Sequence, residues 1–361
     1  MRYLTSSVAA FAALVAATGS SMARGCQYCS DGPCAPARSH GFSYQTAVSP
    51  GKNAELSLTV TLPGRSESIK RPFPVIFFFN GFQARSGFYK AYAERLASWG
   101  YVIVQYNLPL FWVIPDANEA RYLDGLIEWL EKENQTSSST LHGAVDTARI
   151  ASAGHSRGAK LACLHFAGNS RVIAAYLIDP VDNTKYSPEG EEYPSGVKAL
   201  KRVGKPVGIT GAGIMGRCNP EGSNYKDFYV ASAGKSWLTV VNSSSHTEFL
   251  DAGGFLNRVI AGLCGKSGRN SFQETLRLTA PALLAFMDSQ LRTDDADAQQ
   301  RVNDFYRFID AEEAEDRVQF TIKAGATRGT DEQPHAEEAH QDKAQAASYQ
   351  QPSKQELATA K

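Results

Sequence analysis

The stretch that most restricts how this chain can fold runs Ile150-Ala151-Ser152-Ala153-Gly154-His155-Ser156-Arg157-Gly158-Ala159-Lys160-Leu161-Ala162. A short apolar run meets a G-x-S-x-G turn, and a helical pattern of small residues follows. Gly154 and Gly158 stand where any side chain is expected to collide with the neighbouring strand and helix. A serine on such a strand-to-helix turn is lifted above the sheet edge, the setting of a nucleophile elbow. Ser156 is therefore the candidate nucleophile.

The flanking sequence supplies the rest of a layered fold. Glu55 to Leu62 alternates polar and apolar residues and predicts a half-exposed strand. Pro74 to Phe79 is an unbroken apolar run ending at Asn80-Gly81, as expected of a strand covered on both faces. Phe88, Tyr92 and Leu96 give helical periodicity up to Gly100, and Tyr101 to Tyr106 is the next buried strand. Residues 119–133 read as a helix. After the elbow, Val172 to Ile178, Pro206 to Thr210 and Trp237 to Val241 are further strands, and residues 272–291 a closing helix. Strands alternating with helices predict an α/β chain with a mostly parallel central sheet and helices on both faces.

The ends have a different character. Residues 1–24 read as a targeting segment, with Arg2, an apolar stretch from Val8 to Ala17 and a small-x-small site at Ser21-Met22-Ala23. Either secretory or organelle import is consistent with it. Residues 25–45 are expected to be a linker carrying Cys26, Cys29 and Cys34, where a disulfide fits as well as free thiols. The catalytic domain is expected over 46–292 and an extension over 293–324, whose Phe305, Phe308, Ile309, Val318 and Phe320 are available to pack on the domain. Residues 325–361, nearly devoid of large apolar side chains, are expected to be disordered. Cys163, on the helix after the elbow, reads as a small core residue. With 37 basic and 37 acidic residues the net charge is zero, so no basic field or motif points to nucleic acid. No metal site is completed by the cysteines.

A serine nucleophile needs a base, and in this chain order the acid and then the histidine follow it. Of the seven histidines, only His246 lies past a downstream strand within the folded sequence. His335 and His340 fall in the polar tail. His155, beside the nucleophile, reads as structural. Asp179, at the end of Val172–Ile178, is the favoured acid, with Asp182 three residues on as the second candidate. Glu248 and Asp251 read as solvated loop charges. The oxyanion hole is expected from the backbone N–H groups of Arg157 and Phe82. The Phe82 ring is either pocket wall or core. The Arg157 charge either meets substrate or pairs with a nearby acid.

These residues together resemble the chlorophyllases. Gly154-His155-Ser156-Arg157-Gly158 is similar to that family's G-H-S-R-G motif, and Ile178-Asp179-Pro180-Val181-Asp182 to its acid-bearing segment. Pro74–Phe79 with Asn80-Gly81-Phe82 is similar to its strand followed by H-G-Y/F. Ala97-Ser98-Trp99-Gly100-Tyr101 with Val102–Val104, Asn224-Tyr225-Lys226-Asp227-Phe228 and the His246 region also match, so the similarity spans roughly residues 50–290. The resemblance implies an α/β-hydrolase fold and hydrolysis of the phytyl ester of chlorophyll by Ser156, Asp179 and His246. It requires no cofactor, the magnesium belonging to the substrate. A chloroplast location is expected, with a secretory-pathway compartment as the alternative, and peripheral membrane contact is one expectation from the apolar stretch Leu108 to Ile114. Phe82, Phe88, Tyr89, Phe111 and Trp112 are expected to line an apolar entrance. Leu108 to Ile114 is either a lid or membrane-facing loop or buried core. Asn80 stands where the family has histidine, and Ala159 where it has glycine. A general carboxylesterase or lipase, and a non-catalytic pigment- or lipid-binding protein, are the alternative readings.

Overall fold

The computed structural model describes residues 26–49, 52–109 and 113–324. The targeting segment, the tail after residue 324, and Phe111 and Trp112 lie outside the described residues.

Among the described residues, nine strands form one sheet: β1 (Arg38–Ser49), β2 (Lys52–Leu62), β3 (Phe73–Phe79), β4 (Val102–Asn107), β5 (Val145–His155), β6 (Val172–Ile178), β7 (Gly208–Ile214), β8 (Trp237–Ser245) and β9 (Val318–Ile322), in the order β1-β2-β4-β3-β5-β6-β7-β8-β9. The six strands from β4 to β8 in that order run parallel, while β1, β2 and β9 add antiparallel edges. Nine helices among the described residues connect them: α1 (Lys90–Ser98), α2 (Asp116–Glu119), α3 (Tyr122–Gln135), α4 (Arg157–Gly168), α5 (Gly196–Val203), α6 (Tyr225–Ala231), α7 (Gly254–Cys264), α8 (Phe272–Leu291) and α9 (Ala296–Ala314).

Strand β3 shows why the sequence demands two covering layers. Every residue of it is buried. Phe73, Val75, Phe77 and Phe79 join one core with Leu126 and Leu130 of α3 and Leu161 and Phe166 of α4. Ile76 and Phe78 point the other way, into a second core with Tyr92 and Leu96 of α1 and Leu283 and Phe286 of α8. The strand period of two divides one apolar run between both faces. In β2 only one set is apolar, and Leu56, Leu58, Val60 and Leu62 are all buried.

Two expected boundaries meet a different arrangement. Residues 38–45, read as linker, are the first part of β1, paired in register with β2 from Arg38↔Leu62 onward. Phe42 there packs edge-on against Trp129 of α3, ring centroids 5.2 Å apart. The segment after residue 292 completes the core: Trp237 of β8 is surrounded by Phe305 (5.8 Å) and Tyr306 (5.5 Å) of α9 and Phe320 of β9 (5.7 Å). Asp288 of α8 then fastens the N-terminal segment. Buried itself, it accepts hydrogen bonds from Tyr28, Tyr101, Arg292 and Arg301. Cys26 and Cys29 beside it are disulfide-bonded.

Chain direction matters for the site. From β3 the chain crosses to β4 on one side and reaches β5 on the other. The loops leaving β3 and β5 therefore diverge, and a crevice opens at the carboxyl ends of the strands.

Candidate active site

The turn after β5 is built by two glycines. A Cβ on Gly158 would lie 2.1 Å from the Phe79 carbonyl oxygen, and one on Gly154 2.5 Å from that of Gly158. Only bare backbone lets α4 come this close to β3. Between them Ser156 adopts φ 60° and ψ −128°, a region that costs a side-chain-bearing residue about 1–3 kcal/mol. The surroundings hold it there: Ser156 N–H donates to Ile178 O at 3.0 Å, and its carbonyl accepts from Ala159 N–H at 3.0 Å.

Ser156 Oγ lies 2.8 Å from His246 Nε2, and His246 Nδ1 lies 2.6 Å from Asp179 Oδ2. Asp179 is fully buried and His246 nearly so. The Asp179 carboxylate also accepts from Ala212 N–H (2.9 Å) and Asn219 Nδ2 (3.0 Å). It can only accept, so Nδ1 of His246 carries the proton and Nε2 is left to accept the serine hydroxyl's. Asp182, the second candidate, lies elsewhere: it takes Ser195 Oγ (2.6 Å) and Gly196 N–H (2.8 Å) and so caps α5. Glu248 is not the solvated charge expected of it. Its carboxylate accepts from Ser245 N–H (2.6 Å) and Gly268 N–H (3.0 Å), pinning the turn that carries His246.

The loop after β3 faces Ser156. Asn80 Nδ2 donates to Tyr106 O at 2.8 Å, stitching the loop to β4. Gly81 N–H donates to the Tyr89 hydroxyl at 3.2 Å. Among the described residues the N–H groups of Phe82 and Arg157 make no hydrogen bond. Arg157 is the first residue of α4, where an N–H has no partner within the helix.

A groove of about 530 Å³, its open mouth included, runs from this loop past Tyr106, Leu108, Pro109, Val113, Ile114, Glu119 and Arg157. Phe82 is 57% exposed on its wall and Val113 59%. Two residues expected on the groove point away from it. Tyr89 is wholly buried, its hydroxyl engaged by Gly81 N–H and by His155 Nδ1 at 2.9 Å. Phe88 is half-buried against the core behind it.

Of the two roles open to Arg157, the structure shows ion pairing. Its guanidinium meets Asp116 Oδ1 (2.7 Å), Glu119 Oε2 (2.7 Å) and the Ile114 carbonyl (2.8 Å). Lys160, one turn on and almost fully buried, reaches Asp116 Oδ2 at 2.9 Å. This cluster ties the chain around Ile114 and α2 to the start of α4, and with it one wall of the groove.

Asn219 gives no signal in the sequence. Its loop is fixed by a disulfide between Cys218 and Cys264, and by Asn224, whose side chain donates to Pro220 O at 3.0 Å and caps α6. Among the described residues no group of three or more histidine, cysteine or acidic side chains is placed to hold a metal ion.

A mostly parallel sheet, helices on both faces and a serine at a strand-to-helix elbow define the α/β-hydrolase class. Within it, the chain belongs to the chlorophyllase family, whose sequence profile matches residues 44–309. Chlorophyllase-1 of Arabidopsis thaliana is 26% identical over 254 residues, 64% of this chain and 76% of that protein. A ferulic acid esterase from Streptomyces cinnamoneus is similar in structure with a TM-score of 0.49 and 17% identity, over 73% of this chain and 94% of that one. Family membership makes the chain an ester hydrolase.

Proposed function

We propose that the chain hydrolyses the phytyl ester of chlorophyll, or of a closely related pigment, to chlorophyllide and phytol. The observation that carries the proposal is the continuous hydrogen-bond series Ser156–His246–Asp179, next to the Gly81 and Arg157 lining of the groove, in a member of the chlorophyllase family. Ser156 Oγ attacks the ester carbonyl as His246 Nε2 takes its proton. Asp179 fixes the imidazole tautomer and stabilises the cation. The Phe82 and Arg157 N–H groups receive the oxyanion; one such donor contributes roughly 10²–10³ in rate. His246 returns the proton to phytol as it leaves, and water, activated by the same base, releases the acid. No cofactor enters the reaction, and magnesium is cargo of the substrate.

The apolar side of the groove, with Phe82, Leu108, Pro109 and Val113, suits a long hydrocarbon alcohol. Peripheral contact to a pigment-bearing membrane is part of the proposal. Among the described residues no helix is long and apolar enough to cross one. Delivery to the chloroplast by residues 1–24 is part of the same proposal.

The test is product analysis with purified enzyme and its Ser156→Ala variant, on chlorophyll and on p-nitrophenyl esters. Chlorophyllide release that Ser156→Ala abolishes is expected. Hydrolysis of the simple esters without any from chlorophyll would leave a general carboxylesterase. Activity in Ser156→Ala close to wild type would refute the triad.

A further inference from the structure

His155 stands next to the nucleophile, yet its side chain leaves the groove and is 1% exposed. Its Nε2 lies 3.1 Å from the backbone carbonyl of His246, and its Nδ1 lies 2.9 Å from the Tyr89 hydroxyl. That hydroxyl in turn receives Gly81 N–H at 3.2 Å. The direction of every hydrogen bond follows. A carbonyl only accepts, so His155 Nε2 carries the proton. Burial, and then the neighbouring His246, hold the His155 pKa well below its ordinary value, so the ring is neutral and Nδ1 offers a lone pair. Burial pushes the Tyr89 phenol up, so its O–H is present to donate to Nδ1. The Tyr89 oxygen then has lone pairs left for Gly81 N–H.

The chain of bonds is therefore Gly81 N–H to Tyr89, Tyr89 O–H to His155, and His155 N–H to the His246 carbonyl. Each end touches one half of the proposed machinery. Gly81 precedes Phe82, the proposed oxyanion donor, and the far end is the backbone of the base itself. The His155 and His246 rings also pack at 4.6 Å between centroids, tilted by 33°. Space is tight throughout: a Cβ on Gly81 would lie 3.0 Å from the Tyr89 hydroxyl, 3.4 Å from His155 Nδ1 and 3.5 Å from the Ser156 Cβ.

We infer that Tyr89 and His155 act as one positioning unit that fixes the oxyanion loop relative to His246, so that proton transfer and oxyanion binding meet on the same tetrahedral carbon. Neither residue touches substrate. The inference rests on the Ser156–His246–Asp179 reading of the site. It goes beyond it by giving the residue before the nucleophile a role in the rate. A neutral His155 also matters chemically: a second cation against His246 would oppose the imidazolium that the reaction requires.

The experiment compares wild type with Tyr89→Phe, His155→Met, His155→Gln and the Tyr89→Phe/His155→Met double variant on a p-nitrophenyl ester. Working sites are counted by fluorophosphonate titration, so kcat is expressed per competent serine. Loosening reacting groups by a fraction of an ångström costs rate rather than binding. Tyr89→Phe and His155→Met are thus each expected to lower kcat about tenfold or more, with KM within about threefold. The amide introduced by His155→Gln offers a neutral N–H donor to the His246 carbonyl, and that variant is expected to recover most of the loss. Members of one unit are not independent, so the double variant is expected to be no slower than the worse single one. A purely structural role would lower melting temperature and the number of titratable sites but leave kcat per site alone. The inference is overturned if Tyr89→Phe and His155→Met keep wild-type kcat per site, or if their losses multiply. Should His155→Met yield no titratable sites, Tyr89→Phe decides alone. Failure of the underlying reading shows itself differently, as wild-type hydrolysis that survives Ser156→Ala.

Discussion

Replacing Arg157 by methionine separates the two roles that its place beside the nucleophile suggests. The guanidinium sits against two carboxylates whose side chains are 3% and 5% exposed, those of Asp116 and Glu119. A methionine side chain would fill most of the same space without charge. Asp116 keeps Lys160 at 2.9 Å. Glu119 keeps only the hydrogen bond from Tyr106 at 2.6 Å among the described contacts, so the loss concentrates there. Removing one partner of a buried ion pair costs about 3–5 kcal/mol, because the other charge is stranded. For a folded domain of about 300 residues, with an unfolding entropy of about 2.1 cal/mol/K per residue, that corresponds to roughly 5–8 °C in Tm. The assay is thermal unfolding of Arg157→Met, Glu119→Gln and the double variant. Neutralising Glu119 removes the stranded charge, so the double variant is expected to regain half or more of the loss. A Tm for Arg157→Met within about 2 °C of wild type, with KM raised instead, would refute the anchoring role and return the guanidinium to the substrate.

Asn219→Ala removes one of three donors to the Asp179 carboxylate; kcat on a p-nitrophenyl ester is expected to fall about tenfold, since a hydrogen bond to a charged group contributes about 1.5–3 kcal/mol, and an unchanged kcat would remove Asn219 from the site. His165 is buried beneath β3, stacked on Phe79 at 4.6 Å, and burial lowers its pKa from 6.5 to about 3. Its folded pKa is thus depressed: the stability held by the neutral ring is full above pH 6.5 and is lost as pH falls toward 3, because only the unfolded chain takes up the proton. At pH 4.5 the loss is about 2–3 kcal/mol, so urea unfolding of His165→Leu at pH 7 and pH 4.5 is expected to show that much less acid sensitivity than wild type, and equal sensitivity would show that the ring is not held neutral.

Much of the fold can be read from the chain because it is written in local periodicity. Pro74–Phe79 is apolar without a break, and the structure covers it on both faces. Leu56 to Leu62 alternates, and the apolar set is wholly buried, with Thr61 the one polar residue among them that joins it. Gly154 and Gly158 announce a close approach that the Phe79 and Gly158 carbonyls confirm. Elements whose evidence is not local are harder to read. Residues 38–45 resemble a linker because their pairing partners, Glu55 to Leu62, are not their sequence neighbours. The value of α9 and β9 depends on Trp237, far upstream, which they enclose.

The same distinction explains the site. Ser156, Asp179 and His246 are marked by their positions at the carboxyl ends of strands, and the structure places them in hydrogen-bond contact. Asn219 and Glu248, and the particular partners of Tyr89 and of the structural His155, escape a reading of the sequence for one shared reason. Each meets the site through a backbone group or a carboxylate brought near by topology: Asn219 reaches Asp179 across 40 residues, and His155 reaches the His246 carbonyl across 91. A hydrogen bond to a main-chain group places no demand on the partner's residue type, so it leaves no matching signal at the other end. Arg157 illustrates the converse. Its charge makes it conspicuous, yet its acids lie about forty residues upstream in a segment with no motif. Sequence chemistry thus names the groups that react, whereas the groups that hold them at distance and angle emerge only once the sheet has brought its strand ends together.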